Sequence, residues 1–223
     1  MRSFLLPLIF LALASCTQKK GRHYAVQSAN HTKDSVTGVF PADTVLKKTP
    51  EKNNGNDTIM PGKAVGRITL NEKVTDLYKT LGEPDSADAA MGKALLSWFA
   101  KPVIKDGDTT VNSVRVFTHT NFGSKEESPR VKLIRITSPF FKTESRVGTG
   151  STLAFIKMQY PTIKKWASYE MAADKPVVIY ADMKEGISFE IGGTTKCVGI
   201  AVHHPNEVAW ELYNAIFGPL KKL

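Results

Sequence analysis

The chain has 223 residues, of which 42% are hydrophobic and 23% charged, and its formal net charge at pH 7 is +9. This composition is that of an ordinary globular protein and excludes a chain that is disordered throughout. A basic chain invites a nucleic-acid partner, but no block of Lys and Arg interleaved with aromatic residues occurs. We therefore expect a solvated basic surface and no nucleic acid.

The N-terminus has the layout of an export signal. Arg2 supplies a positive charge, and residues 4–14 form an apolar run. A helix of that length rises about 16 Å, which is well short of a hydrocarbon core of about 30 Å. We therefore predict a cleaved signal peptide over residues 1–15 and not a membrane-spanning helix.

The end of this signal carries the most specific motif in the chain. Ala12-Leu13-Ala14 offers a weak site for ordinary secretory cleavage, which is the alternative. Leu13-Ala14-Ser15-Cys16, however, resembles the bacterial lipoprotein signal at every position. The resemblance implies that signal peptidase recognises Leu13, Ala14 and Ser15, and that Cys16 carries a diacylglyceryl thioether and a further acyl chain. Two or more acyl chains anchor a protein stably to a membrane.

The resemblance also bears on location. Thr17 stands where enteric bacteria place an aspartate to retain a lipoprotein in the inner membrane. We therefore expect a lipid-anchored protein of the cell envelope, at the outer membrane. Residues 16–63 show no sustained apolar period and are rich in Asn, Thr, Lys, Asp, Pro and Gly. Such a segment buries too little apolar surface to offset its ordering entropy, so we predict a lipidated, flexible tether.

The folded body is predicted to begin at residue 64, with a short strand over 68–70 and then a helix. Val74, Leu77, Tyr78 and Leu81 form one apolar stripe at helical spacing. Asn71 is the expected N-cap of this helix, and Gly82 and Pro84 are expected to end it. Strands are predicted next over 94–99, 111–118 and 131–137, and Asp106-Gly107 predicts a hairpin turn.

The same order of elements recurs in the second half. Three apolar positions of the first helix recur at a constant offset, with Leu153, Ile156 and Tyr160 matching Val74, Leu77 and Leu81. Strands are predicted over 177–180, 187–191 and 196–202. A strand, helix and three-strand unit is thus expected twice, over 64–140 and 141–223. The second unit is expected to carry a C-terminal helix over 206–217, capped by Asn206 and stopped by Gly218-Pro219.

The phrases GRITLNEKVTDLYKTLGEPDS and EGISFEIGGTTKCVGIAV give this pattern a second resemblance. They are similar to the unit found in SmpA/OmlA-type outer-membrane lipoproteins and, in tandem, in β-lactamase inhibitor proteins. The resemblance implies an α+β fold, with two tandem repeats whose small antiparallel sheets are backed by helices. It also implies that a sheet face grips another protein. The chain departs from the pattern at Pro161, where the family has a helix-ending glycine.

Few residues have the spacing of a reaction centre. Cys197 is the only cysteine besides Cys16, and we expect it to be a small buried hydrophobe. His203-His204 is the only histidine pair, and with Asp182 and Glu185 it is the one polar cluster we identify. Adjacent strand residues point to opposite faces, so one metal could bind both histidines only if the strand ended there. We predict no catalytic residue, no metal site and no cofactor.

Two functional expectations follow. The first is a non-catalytic, membrane-anchored envelope lipoprotein whose tandem body binds another envelope protein. The alternative is a periplasmic small-ligand-binding protein or hydrolase that uses the polar cluster around His203 and His204. A purely structural lipoprotein with no specific partner is the third reading.

Overall fold

The computed structural model describes residues 56–171, 175–207, 213–214, 216 and 218–223. The predicted signal peptide, the motif ending at Cys16 and the tether up to residue 55 lie outside these residues. Residues 58–60, which the sequence analysis assigned to the tether, form the first strand. The described helices are α1 (Val74–Leu81) and α2 (Leu153–Gln159). The strands are β1 (Thr58–Met60), β2 (Ala64–Val65), β3 (Ile68–Thr69), β4 (Ser86–Ala90), β5 (Lys93–Phe99), β6 (Val103–Lys105), β7 (Asp108–Thr110), β8 (Ser113–His119), β9 (Arg130–Ile136), β10 (Lys142–Thr143), β11 (Lys164–Met171), β12 (Lys175–Asp182), β13 (Ile187–Ile191), β14 (Cys197–His203) and β15 (Lys221–Lys222).

Nine of the described strands form one antiparallel sheet in the order β15-β11-β12-β13-β14-β9-β8-β5-β4. In the middle of this sheet, Ile134 of β9 lies opposite Val116 of β8 on one side and Val202 of β14 on the other. A smaller sheet has the order β10-β1-β2-β3, with β1 and β10 parallel. The hairpin β6-β7 stands apart as a two-stranded ribbon and turns at Asp106-Gly107, where the sequence predicted it.

The predicted α+β class is wrong, because the described protein is mostly antiparallel β-sheet with two short helices. The sequence analysis predicted two small sheets, one in each repeat. Instead, β9 from the first segment pairs with β14 from the second, so strands of both segments share one sheet. The physical reason is that both strands carry buried apolar side chains on both faces, with Leu133, Ile134 and Ala201 fully buried. Such strands need neighbours on each side and cover on each face.

The first face of the large sheet carries both helices. Leu77 of α1 and Ile156 of α2 are fully buried and pack in one core with Val116, Ile134 and Phe189 of the sheet. Both helices lie where the apolar stripes predicted them. Gly82 ends α1 with φ 78°, as expected. Asn71 does not cap it, because Lys73 occupies the cap position and Asn71 donates its backbone N–H to the carbonyl of Val131.

The second face of the sheet has its own core. Phe117, Leu133 and Ile179 from the strands pack there with Tyr213, which is fully buried. Most of the predicted helix over 206–217 lies outside the described residues, but residues 213, 214 and 216 are helical. Gly218, with φ 77°, donates its N–H to the carbonyl of Asn214 and ends this turn. The chain then returns as β15 beside β11.

Candidate functional site

The polar cluster proposed from the sequence is not assembled on one side of the sheet. Asp182 is in register with Ile187, and Ile187 with Val202, so these three side chains share the first face. His203 follows Val202 in the strand and therefore points to the opposite face. It shares that face with Leu133, its partner on β9. No group of three or more His, Cys, Asp or Glu side chains that could hold a metal occurs among the described residues.

Asp182 has a local structural task. One carboxylate oxygen accepts the backbone N–H groups of Lys184 and Glu185, each at 3.1 Å, and the other accepts the Thr162 hydroxyl. Burial pushes the pKa of Asp182 upward, but the Thr162 and backbone hydrogen bonds outweigh it and lower the pKa. This carboxylate therefore stabilises the turn between β12 and β13. Glu185 instead lines an open groove of about 840 Å³ beside β1.

His203 is buried, with 1% of its surface exposed, and its Nδ1 lies 3.0 Å from the carbonyl oxygen of His204. Burial is the main cause that lowers its pKa below the ordinary value of 6.5. The folded protein therefore holds this imidazole neutral. The side chain packs on the second face of the sheet, where its burial keeps a substrate from reaching it.

The buried imidazole predicts a pH dependence of stability. Because the folded pKa of His203 is lowered, the unfolded chain binds a proton more readily, and stability falls as pH drops below about 6.5. At higher pH its contribution is fully present. We expect His203→Asn to flatten the pH dependence of the unfolding free energy between pH 7.5 and 5, measured by denaturant titration. His204→Asn is the matched control and should leave the slope intact, and an unchanged slope in both variants would contradict the assignment.

Cys197 is buried, as the sequence predicted, with 2% of its surface exposed. Its Sγ lies 3.2 Å from the carbonyl oxygen of Gly199. Burial raises the pKa of the thiol to about 12, so it stays protonated and unreactive at neutral pH.

A buried charge network on the second face was missed from the sequence. Arg135 of β9 donates to both carboxylate oxygens of Glu190 on β13, at 2.8 and 2.6 Å, and the Tyr169 hydroxyl lies 3.0 Å from Glu190. Burial alone would lower the pKa of Arg135, but the charge and hydrogen bonds of Glu190 more than reverse this and raise it. The network is buried, and its charged groups satisfy one another without offering a site to a ligand.

A surface that fits a binding site lies at the far edge of the large sheet. We call it the β4 edge surface: the strand β4 with three flanking exposed apolar side chains, Met91, Phe99 and Phe122. All five residues of β4 are exposed. The strand is the last of its sheet, and its outer side has no neighbouring strand in the described part of the chain.

Both ends of this surface present large apolar groups to solvent. Met91, in the turn that joins β4 to β5, is 91% exposed, and Phe122 beside it is 68% exposed. At the other end Phe99 is 44% exposed. Asp85 connects that end to the strand, since its carboxylate accepts the Phe99 backbone N–H at 2.7 Å. Clustered exposed apolar groups are typical of interaction sites.

The hairpin turn at Met91-Gly92 has a backbone conformation that methionine rarely adopts. It is a two-residue hairpin turn in which both residues have positive φ, 52° for Met91 and 75° for Gly92. Asn, Asp or Gly normally occupies the first of these positions. The Phe122 ring packs over Gly92, where a Cβ would lie only 2.3 Å from it. A long apolar side chain is therefore held in an unfavourable backbone conformation and aimed at solvent, which favours a functional reason for it.

An apolar groove of about 550 Å³ opens beside this edge on the second face. Its walls come from the β4-β5 hairpin, from β8 and from Asn214. The lining residues include Met91, Leu95, Phe117, Asn214 and two charged residues, Asp88 and Lys93. The groove places apolar surface directly next to the exposed backbone of β4, and it can receive a side chain of a bound protein.

The strand β4 was not predicted, because its five residues, Ser-Ala-Asp-Ala-Ala, contain no β-branched or aromatic residue. Intrinsic preference for strands is low in such a run, and pairing with β5 overrides it. The charge of the sequence does set this region apart from the rest of the chain. Between residues 81 and 92 the chain carries Glu83, Asp85 and Asp88 and neither Lys nor Arg, although the whole protein is strongly basic.

Comparisons with known proteins add little to this geometry. No protein-family model and no curated protein sequence matches the chain. Among solved structures, it is similar to a DUF4309 family protein (YjgB) from Bacillus subtilis, with 14% sequence identity. The match covers 64% of this chain and 88% of the other, with a TM-score of 0.36, which is too low to support an argument about fold or function. Within the described residues, no helix has the length and apolar character that crossing a bilayer requires.

Proposed function

We propose that this protein is a lipid-anchored lipoprotein of the bacterial cell envelope, at the outer membrane, and that its body binds another envelope protein without catalysis. The anchor is supported by the motif Leu13-Ala14-Ser15-Cys16. Protein binding is supported chiefly by one observation, the fully exposed edge strand β4 flanked at both ends by exposed apolar side chains. In this proposal the β4 edge surface makes the contact.

The chemistry of the surface favours binding over catalysis. The β4 edge surface combines backbone groups, small side chains and apolar groups, and its acidic residues lie on an open, solvated edge. A general acid or base usually has a pKa displaced by burial or by a close partner. Tyr169 and His203, whose pKa values are clearly displaced, are instead buried on the second face, away from the β4 edge surface. The alternative of a small-ligand-binding protein or hydrolase built around His203 and His204 has no comparable surface to support it.

The experiment is site-specific photo-crosslinking in intact cells of the source bacterium. A photoreactive amino acid at Ala89, on β4, is expected to give one discrete adduct with an envelope protein, seen by immunoblot and identified by mass spectrometry. The matched control is the same probe at Glu170, which is exposed on β11 near the opposite edge of the sheet and should give no such adduct. Absence of an adduct at Ala89, Met91 and Phe122 alike would contradict the proposal.

A further inference from the structure

The two edges of the large sheet differ in how they are protected. An exposed edge strand presents unpaired N–H and C=O groups, and proteins usually guard it with lysines, proline, a bulge or extreme shortness. The strand β15 at one edge is only two residues long, and both are lysines, Lys221 and Lys222. The five-residue strand β4 at the other edge has no lysine, no proline and no register shift against β5, and Asp88 is its one charged residue.

The side chains of β4 leave room for a neighbouring strand on both faces. Ala87 and Ala89 share the face of their β5 partners Leu96 and Ala94. Ser86, Asp88 and Ala90 share the other face, next to the apolar groove. Since four of the five side chains are Ala or Ser, side chains of an added strand would meet no bulky group. Those on the second face would lie beside the groove, which can select one of them by size.

Charge decides between the candidates for the added strand. A second copy of this chain, paired antiparallel through the middle of β4, would place Asp88 opposite Asp88, and like charges directly opposite each other are unfavourable. A segment with Lys or Arg opposite Asp88 has the opposite outcome, because cross-strand pairs of opposite charge stabilise a sheet.

We propose that the partner donates an extended, basic segment that adds to the large sheet as a tenth strand along β4 and places one side chain in the groove. This inference rests on the proposed function and specifies how the β4 edge surface binds. Main-chain hydrogen bonds provide most of the affinity in this mode, while alternate side chains provide the specificity.

The test uses synthetic peptides as probes with the intact body of the protein. The basic probe is a short capped peptide that alternates Lys with Thr and Val, and the acidic probe replaces each Lys with Glu. We expect the basic probe to bind and to slow hydrogen exchange at the backbone amides of residues 86–90, while the acidic probe binds at least about tenfold more weakly. Asp88→Lys should reverse this order, and the matched control Glu170→Lys should leave it unchanged.

A second pair of probes tests the backbone pairing itself. Only alternate N–H groups of an added strand face β4, so N-methylation of every second residue should abolish binding in one frame and preserve it in the other. Equal binding of both frames, protection away from residues 86–90, or equal binding of basic and acidic probes would overturn strand addition. Dimerisation of the protein through β4, seen by sedimentation, would also overturn it, since a second copy would then be the occupant.

The two proposals fail separately. A cross-linked envelope partner at Ala89 without any binding of the basic probe would leave protein binding in place and overturn the strand-addition mode. Binding of the basic probe in the expected frame, with no adduct in cells from Ala89, Met91 or Phe122, would support the mode and contradict the proposed function.

Discussion

Replacing Glu190 with alanine is expected to lower the free energy of unfolding by about 3–5 kcal/mol, which is a large share of the stability of a typical domain. Glu190 is 0% exposed and Arg135 is 6% exposed, so removal of the carboxylate strands a guanidinium away from water. Tyr169 would lose its hydrogen bond to the Glu190 carboxylate at 3.0 Å as well. The measurement is equilibrium unfolding in denaturant, followed by circular dichroism.

A second arginine increases the expected cost. Arg115 of β8 is in register with Arg135 and shares its face. Partial burial and, after it, the charge of Arg135 lower the pKa of Arg115. Glu190 is therefore the counter-charge that both cations feel. Without it, a buried and a partly buried cation would lie side by side with no carboxylate between them.

The paired substitution separates loss of charge balance from loss of volume. Arg135→Met combined with Glu190→Leu removes both charges and keeps the space filled, so it should lie within about 1–2 kcal/mol of the unmodified protein. Glu170→Ala, on an exposed position of β11, is the matched control and should change stability by less than about 0.5 kcal/mol. If Glu190→Ala cost no more than Glu170→Ala, the ion pair would not stabilise the fold.

Replacing Cys16 with serine is expected to move the protein from the membrane fraction to the soluble fraction of the envelope. Serine has no thiol to carry the diacylglyceryl group, and without two or more acyl chains the hydrophobic anchoring energy is lost. The measurement is fractionation of cells by ultracentrifugation followed by immunoblot. Mass spectrometry of the protein that keeps Cys16 should show a lipid-modified N-terminal peptide that starts at this residue.

The second cysteine offers a matched control. Cys197 is buried in the core and takes no part in anchoring, so Cys197→Ala should keep the protein in the membrane fraction. Membrane association of Cys16→Ser at the level of the unmodified protein would refute the lipid anchor. That outcome would leave the binding test at Ala89 interpretable, because the two experiments test different parts of the chain: the N-terminal anchor and the β4 edge surface.

Sequence patterns correctly predicted the elements that depend on residues close together in the chain. The apolar stripe from Val74 to Leu81 predicted α1, the stripe beginning at Leu153 predicted α2, and Asp106-Gly107 predicted a hairpin turn. Each of these signals depends on residues within one or two turns of one another. The cap position at Asn71 was predicted wrongly, because Asn71 pairs its backbone with Val131, a residue distant in sequence.

The candidate site could not be predicted in the same way. The strand β4 has the composition of a poor strand and exists because β5 pairs with it. Its position at an edge follows from the order of the other strands, which no local signal encodes. Likewise, Arg135 and Glu190 are far apart in the sequence and become an ion pair only through β14, which lies between their strands.

By itself, the sequence determined the helices, most of the central strands, the burial of Cys197 and the motif on which the anchor proposal depends. These depend on short-range periodicity or on a contiguous set of residues. Only the tertiary structure decided the fold class, since the pairing of β9 with β14 joins strands of both predicted repeats into one sheet. It also decided that His203 and Asp182 point to opposite faces and that β4 lies at an edge of the large sheet. Strand order, edges and facing side chains arise from long-range pairing, because the free energy of burying both faces of a strand depends on neighbours that the local sequence does not name.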